Sequence, residues 1–212
     1  MPQDVLKLRQ VLSISPVIPV IVIDDVSIAR PLAEALVEGG LMVLEVTLRT
    51  EGALRAIAEM AKVPGAIVGS GTVRNALQMG HSVDAGAQFM VSPGASPRLL
   101  DAAEAHSIPL LPGIATPTEA MTAAEHGYQM LKFFPAEALG GAKVLKAYAS
   151  PLPDITFCPT GGIDVVKARD YLALPNVICV GGSWIMPADA LANRDWKRVT
   201  ALAREAAQLK SV

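Results

Sequence analysis

Eight short apolar runs recur along the chain, and this repeat limits the folds open to it. Their starts lie roughly 21 to 25 residues apart, which leaves room for one helix and two loops between successive runs. Several runs are apolar on both faces, as is typical of parallel strands that helices cover. The runs are Val17–Ile23, Met42–Thr47, Ala66–Gly69, Gln88–Val91, Pro109–Leu111, Met130–Phe133, Ile155–Cys158 and Val177–Val180.

The segments between these runs have the apolar spacing of helices. After the first run, Ser27 is expected to cap a helix that Gly39 and Gly40 end. Asp195 is expected to cap the last long helix, whose apolar residues form one stripe. The spacing predicts further helices over Glu51–Ala61, Thr118–Glu125 and Lys143–Ala149, and a short one over Pro187–Leu191.

Eight strand–helix units predict an α/β fold, a closed (β/α)8 TIM barrel. An open doubly wound sheet is the alternative, and the absence of an early G-x-G-x-x-G motif weighs against it. The 212 residues contain no linker, low-complexity tract or block of charge, so we expect a single domain over residues 1–212. With 51% hydrophobic and only 4% aromatic residues, its core must be large and aliphatic.

Charge and hydropathy exclude several classes of partner. The net charge is -2 and no run of lysine or arginine stands out, so no nucleic-acid partner is expected. No apolar stretch is long enough to cross a bilayer, and the first ten residues lack the apolar region of a signal peptide. We therefore expect a cytoplasmic protein with no membrane partner.

Cysteine and histidine placement argues against metal or redox chemistry. Cys158 and Cys179 lie in apolar runs and are expected to be small core residues. His81, His106 and His126 fall in predicted helices or at helix ends, without metal-ligand spacing. No metal is expected.

Active sites of (β/α)8 barrels lie at the carboxyl ends of the strands, and Lys132 lies there in an apolar run. Burial favours the neutral form of a lysine amine, which is a nucleophile that forms Schiff bases with carbonyl substrates. The alternative is a lysine at a strand end whose ammonium group reaches solvent.

Glu45 lies in the second run and Arg49 lies two residues after it. Both are therefore expected at the carboxyl end of the second strand, the end of the barrel where Lys132 lies. A carboxylate there can shuttle protons, or it can form a structural ion pair with Lys132 or Arg49. Burying three ionisable groups for stability alone is costly, which favours the catalytic interpretation. Arg49 offers a planar fork suited to a carboxylate or phosphate, or it is a surface residue of the following loop.

Two glycine turns follow the seventh and eighth runs. They are Thr160-Gly161-Gly162 and Gly181-Gly182-Ser183. Glycine lets backbone N–H groups approach an anion closely, and barrels of this class often bind phosphate after these two strands. The turns therefore predict a phosphate site.

Six motifs, taken in order along the chain, together resemble the 2-keto-3-deoxy-6-phosphogluconate (KDPG) aldolase and 4-hydroxy-2-oxoglutarate aldolase family. The resemblance runs from about Pro16 to near the C-terminus, and Ser70 stands where many relatives have alanine. The motifs are Val43–Thr50, Gly69–Val73, Ser92-Pro93-Gly94, Lys132–Glu137, Cys158–Ile163 and Gly181–Trp184.

The resemblance implies a class I aldolase of the Entner–Doudoroff pathway, a homotrimer of barrels that uses no cofactor. Lys132 matches the Schiff-base lysine and Glu45 matches the general acid/base. The remaining matches are substrate-binding positions: Arg49 and Thr72 at the pyruvyl carboxylate, Pro93, Phe134 and Thr160 as further contacts, and Gly161, Gly162, Gly182 and Ser183 at the phosphate.

The expected substrate is a small phosphorylated keto acid, KDPG, with 4-hydroxy-2-oxoglutarate as a second one. The galactonate epimer of KDPG is an alternative, because it shares the pyruvyl half and would use the same lysine. Two weaker alternatives are a phosphosugar epimerase, for which metal ligands are lacking, and a non-catalytic phosphometabolite sensor.

Overall fold

The structure is a computed structural model that describes residues 4–209. Within them, nine strands alternate with helices. The strands are β1 Val17–Ile21, β2 Val43–Thr47, β3 Ile67–Gly71, β4 Phe89–Val91, β5 Leu110–Leu111, β6 Gly113–Ile114, β7 Met130–Phe133, β8 Thr156–Pro159 and β9 Val180–Gly182. The α-helices are α1 Val5–Leu12, α2 Ala29–Glu38, α3 Ala53–Met60, α4 Ala76–Asp84, α5 Pro97–Ala103, α6 Pro117–Glu125, α7 Ala142–Tyr148, α8 Val165–Leu172, α9 Ala188–Ala192 and α10 Trp196–Ala207. Short 3₁₀ helices span Val26–Ile28 and Glu137–Leu139.

The strands form two parallel sheets that join into a barrel. One has the order β5-β4-β3-β2-β1-β9 and the other the order β6-β7-β8. Only Pro112, which has no N–H to donate, separates β5 from β6, so these two are halves of one strand. Isolated parallel bridges, Phe157 to Val177 and Thr160 to Gly181, connect β8 with the chain around β9. The predicted (β/α)8 TIM-barrel architecture is confirmed.

Alternating strand residues divide the apolar core into an outer layer and a barrel interior. Leu44 and Leu131, for example, pack outward on the helices, whereas the neighbouring Val43 and Met130 pack inward. The interior cluster consists mainly of residues near the strand starts and is joined by Leu12 of α1. Helix α1 therefore covers the amino ends of the strands, and the carboxyl ends carry the polar residues.

Helix α2 begins differently from the sequence prediction, in which Ser27 is its cap. Asp25 is the cap instead, since its carboxylate accepts from the Ser27 N–H and starts the 3₁₀ turn that precedes α2. At the other end the prediction is confirmed, because α2 ends at Glu38 and Gly40 has a φ of 93°. Asp195 caps α10 as predicted, by accepting from the Arg198 N–H.

Both cysteines are buried inside the barrel, which confirms their predicted place in the core. A hydrogen bond with Cys158 and burial raise the pKa of the Cys179 thiol well above its ordinary value. Among residues 4–209, no helix combines the length and the apolar character that crossing a bilayer requires.

Candidate active site

A buried lysine–glutamate pair lies in the barrel, built from two strands far apart in the sequence. Lys132 on β7 and Glu45 on β2 are 87 residues apart, and the Lys132 Nζ donates to Glu45 Oε1 at 3.1 Å. Both side chains are only 4% exposed. Leu131 and Phe133 belong to the outer layer, so alternation directs Lys132 into the barrel. The alternative in which this ammonium reaches solvent is wrong.

Gly71 at the end of β3 makes room for the glutamate. A methyl group added there would overlap Glu45 Oε1 and lie 2.7 Å from the Glu45 Cγ. Sequence reasoning did not single out this glycine. A signal was available, because Gly71 lies two residues after Gly69. Strand alternation therefore places both glycines on the face of β3 that points into the barrel, beside β2.

The two phenylalanines that follow the lysine point in opposite directions, as alternation along a strand requires. Phe133 is buried in the outer layer, where its ring lies 6.2 Å from that of Tyr148. The Phe134 ring faces the site, with its centroid 5.4 Å from the Lys132 Nζ. An aromatic wall therefore lies against the amine.

Arg49 is tied to Thr72 across the β2 and β3 ends, because its Nε donates to Thr72 Oγ1 at 3.1 Å. Thr72 has a φ of 60°, in the left-handed region that a β-branched residue rarely adopts. Such strain is concentrated at functional sites, where the surrounding structure maintains it. Thr47 donates to the Ile21 carbonyl at 3.0 Å, so this buried threonine has a structural role.

A cavity of about 160 Å³ opens at the carboxyl ends of the strands. The hydroxyl of Thr160 is buried there and has no hydrogen-bond partner within residues 4–209. Pro93 lies outside the cavity wall, half-buried beside the position of Gly113. Seven predicted substrate-binding residues belong to the wall: Arg49, Phe134, Thr160, Gly161, Gly162, Gly182 and Ser183.

The turn after β8 requires glycine. Gly161 and Gly162 have φ values of 108° and 76°, a region that disfavours residues with a Cβ atom. Helix α8 begins directly afterwards with Asp164 as its cap. The turn therefore presents peptide groups to the cavity, an arrangement that suits an anion.

The three histidines lie away from this cavity, in α4, in the loop after α5 and at the end of α6. Across the described part of the chain, no three histidine, cysteine or acidic side chains are placed to hold a metal ion. The polar groups at the strand ends include the Lys132 amine, the Glu45 carboxylate and the Arg49 guanidinium.

Known proteins match this chain over almost its whole length. A family model described as KDPG and KHG aldolase matches residues 8–202. The 2-dehydro-3-deoxy-phosphogluconate aldolase of Dickeya dadantii (strain 3937) is 56% identical over 199 residues, 93% of each chain. The KHG/KDPG aldolase of Escherichia coli (strain K12) is 54% identical over 201 residues, 94% of each chain.

A solved structure extends the similarity to the fold. It is that of KDPG aldolase from Legionella pneumophila, with pyruvate captured at low pH as a covalent carbinolamine intermediate. Its TM-score is 0.92 at 47% identity, over 94% of this chain and 98% of that chain. The matches include every strand of the barrel and all of the cavity wall.

Proposed function

This chain belongs to the KDPG and KHG aldolase family, and from that premise we propose a class I aldolase that cleaves KDPG to pyruvate and glyceraldehyde 3-phosphate. The observation that carries the proposal is the 3.1 Å contact between the Lys132 amine and the Glu45 carboxylate in a nearly dry environment. Covalent catalysis by lysine needs a free amine and a partner that moves protons, and Glu45 lies within hydrogen-bond distance to take the proton of Lys132.

The reaction begins when Glu45 takes a proton from the Lys132 ammonium along their hydrogen bond. The free amine attacks the C2 ketone of the substrate, and Glu45 returns the proton as the carbinolamine loses water. The resulting iminium accepts the electron pair of the C3–C4 bond while Glu45 removes the C4 hydroxyl proton. Glyceraldehyde 3-phosphate leaves, the enamine is protonated at C3, and hydrolysis releases pyruvate. Acid–base catalysis of this kind contributes about 10²–10⁴-fold.

The pyruvyl half of the substrate binds next to this pair. The Arg49 guanidinium, oriented by Thr72, offers parallel N–H donors to the carboxylate. Phe134 covers the apolar side of the bound substrate, and the Thr160 hydroxyl donates to one of its oxygens. Pro93 shapes the far side of the same subsite from the end of β4.

The phosphate binds at the two glycine turns, where Gly161, Gly162, Gly182 and Ser183 meet across the cavity. Backbone N–H groups and the Ser183 hydroxyl are the donors. A substrate without phosphate, 4-hydroxy-2-oxoglutarate, uses the pyruvyl subsite alone. We propose it as a second substrate because KHG is an abbreviation of this keto acid, and the names of the family and of the Escherichia coli relative contain KHG as well as KDPG.

We also propose an oligomeric state, a cellular location and the absence of a cofactor. One domain acts in the cytoplasm as a homotrimer and without a cofactor, since imine chemistry on lysine requires none. Light scattering is expected to give three times the 22.2 kDa mass of one chain. Activity that survives a chelator would separate the aldolase from a metal-dependent phosphosugar epimerase.

Side-by-side kinetics test the substrate assignment. Pyruvate release is measured with KDPG, its galactonate epimer and 4-hydroxy-2-oxoglutarate. The expected order of kcat/KM places KDPG first. A higher value for the galactonate epimer would assign the protein to the other stereochemical series, and no release from any of the three would refute the aldolase.

A further inference from the structure

Three consecutive carbonyl groups of the turn after β8 accept hydrogen bonds from residues that do not line the cavity. The Thr160 carbonyl accepts from the Ala136 N–H at 2.9 Å, and the Gly161 carbonyl accepts from the Glu137 N–H at 3.1 Å. The Gly162 carbonyl accepts from the Lys167 Nζ at 3.0 Å. Each of these donors belongs to the segment after β7 or to α8.

These bonds determine where the N–H groups of the turn point. In a trans peptide the carbonyl and the following N–H point in opposite directions. Fixing the carbonyls of residues 161 and 162 therefore directs the N–H groups of Gly162 and Ile163 to the other side, whereas the Gly161 N–H faces β9 in the bridge between Thr160 and Gly181. Gly162 and Ile163 both line the cavity, so their N–H groups are placed to act as donors to an anion there.

The lysine that holds the last carbonyl is itself held by Glu137. The Lys167 Nζ lies 3.1 Å from Glu137 Oε2, and the Tyr171 hydroxyl donates to Glu137 Oε1 at 2.7 Å. Lys167 and Tyr171 are four residues apart on α8 and so share one face of it. One carboxylate thus links the segment that follows the Lys132 strand to the helix that follows the glycine turn.

Close packing fixes the Glu137 side chain in place. A Cβ at Gly162 would lie 2.9 Å from the Glu137 Cβ, and one at Gly141 would lie 3.3 Å from Glu137 Oε1. Burial, followed by the hydrogen bond to Glu137, raises the pKa of Tyr171. No pattern in the sequence indicates this network, because polar residues on a helix and in a loop are ordinarily solvated.

We propose that Glu137, together with Lys167 and Tyr171, positions the Gly161–Gly162 turn for phosphate and thereby sets the preference for phosphorylated over unphosphorylated keto acids. The inference rests on the proposed function, because that function places the phosphate at this turn. None of the three side chains touches the reacting atoms, and they act through the direction of the peptide groups.

Kinetics of Lys167→Met with two substrates test the proposal. The ratio of kcat/KM for KDPG to that for 4-hydroxy-2-oxoglutarate is expected to fall about tenfold, the loss typical of one charge-assisted hydrogen bond. The fall arises from KM for KDPG, with kcat little changed. Inhibition by inorganic phosphate weakens in the same proportion. Lys143→Met is the matched control, because it removes the same charge from an exposed site on α7 and keeps the ratio.

Substitutions at Glu137 provide the second arm. Glu137→Gln keeps an acceptor for Tyr171 but loses the ion pair, so its ratio is expected to fall less than that of Glu137→Ala. A merely structural role would lower both substrates equally and would not show this graded recovery. If Glu137→Ala fails to fold, the exposed Lys167 variant and Glu137→Gln still decide the question.

These outcomes distinguish a failure of this inference from a failure of the proposed aldolase function. An unchanged ratio in Lys167→Met, or equal losses with both substrates, overturns the positioning role and leaves the aldolase standing. A wild-type protein that cleaves neither substrate overturns both. A ratio that falls as much in Lys143→Met would assign the effect to general electrostatics and refute the turn mechanism.

Discussion

Gly71→Ala is expected to separate the catalytic pair while leaving the barrel intact. The added methyl would lie 2.7 Å from the Glu45 Cγ and 2.9 Å from its Cδ. Carbon atoms pack at about 3.5–4.0 Å, so the glutamate side chain must move by roughly 1 Å. The backbone at Gly71 is not in the left-handed region, so alanine is compatible with its conformation.

The displacement is large compared with the contact that it disturbs. The Lys132 Nζ and Glu45 Oε1 are 3.1 Å apart, and an added 1 Å or so would take them beyond hydrogen-bond distance. A misplacement of about 1 Å costs on the order of 10²-fold in rate, or about 2.7 kcal/mol in the activation free energy. We expect kcat for KDPG to fall by about that factor.

The assay is pyruvate release under saturating KDPG, with circular dichroism to verify folding. Gly80→Ala is the control, because a Cβ there meets nothing within 4 Å and the position is helical. It should keep wild-type kcat and gain up to about 1 kcal/mol of stability. A folded Gly71→Ala protein with wild-type kcat would refute the requirement for the close Lys132–Glu45 contact.

Three further substitutions test other parts of the account. Glu45→Gln should slow solvent proton exchange at the methyl group of pyruvate, followed by nuclear magnetic resonance, and undiminished exchange would remove Glu45 as the proton carrier. Ser183→Asp should weaken KDPG more than 4-hydroxy-2-oxoglutarate through charge repulsion, whereas equal losses in kcat/KM would place the phosphate elsewhere. Ser70 has a fully buried hydroxyl without a partner in the described range, so Ser70→Ala should raise the free energy of unfolding by about 1 kcal/mol in denaturant titrations. A lower unfolding free energy would show that this hydroxyl is stabilising.

The barrel could be predicted because its signal is spread along the whole chain. Eight apolar runs with regular spacing leave few parallel architectures. Strand ends were less predictable: β3 extends to Gly71 and β9 to Gly182, although glycine disfavours strands. At Gly71 the small residue makes room for a neighbouring side chain, a tertiary reason that no local pattern contains.

The start of α2 shows a similar limit of sequence-based prediction. Asp25 and Ser27 are both good capping residues, but Asp25 is the cap, Ser27 lies inside the 3₁₀ turn, and Arg194 contacts both. That arginine lies far along the chain and donates to both side chains, at 3.5 Å and 3.1 Å. Only the folded structure brings it there.

The pairing of Lys132 with Glu45 was predictable, and the contacts that Glu137 makes with α8 were not. Lys132 and Glu45 could be paired from sequence because both occupy the carboxyl ends of predicted strands, where barrel geometry makes side chains converge. Glu137 acts through its contacts with α8, so only coordinates reveal it. Pro93 was named through resemblance alone, and its place outside the cavity wall leaves its contact with substrate a prediction.

Trapping of the imine tests the central claim, that Lys132 is the nucleophile, most directly. The protein is incubated with pyruvate, reduced with borohydride, digested and analysed by mass spectrometry. We expect one reduced pyruvyl adduct on the peptide that contains Lys132, and neither adduct nor turnover in Lys132→Ala. An unmodified Lys132 peptide, or an adduct on a different lysine, would contradict the account.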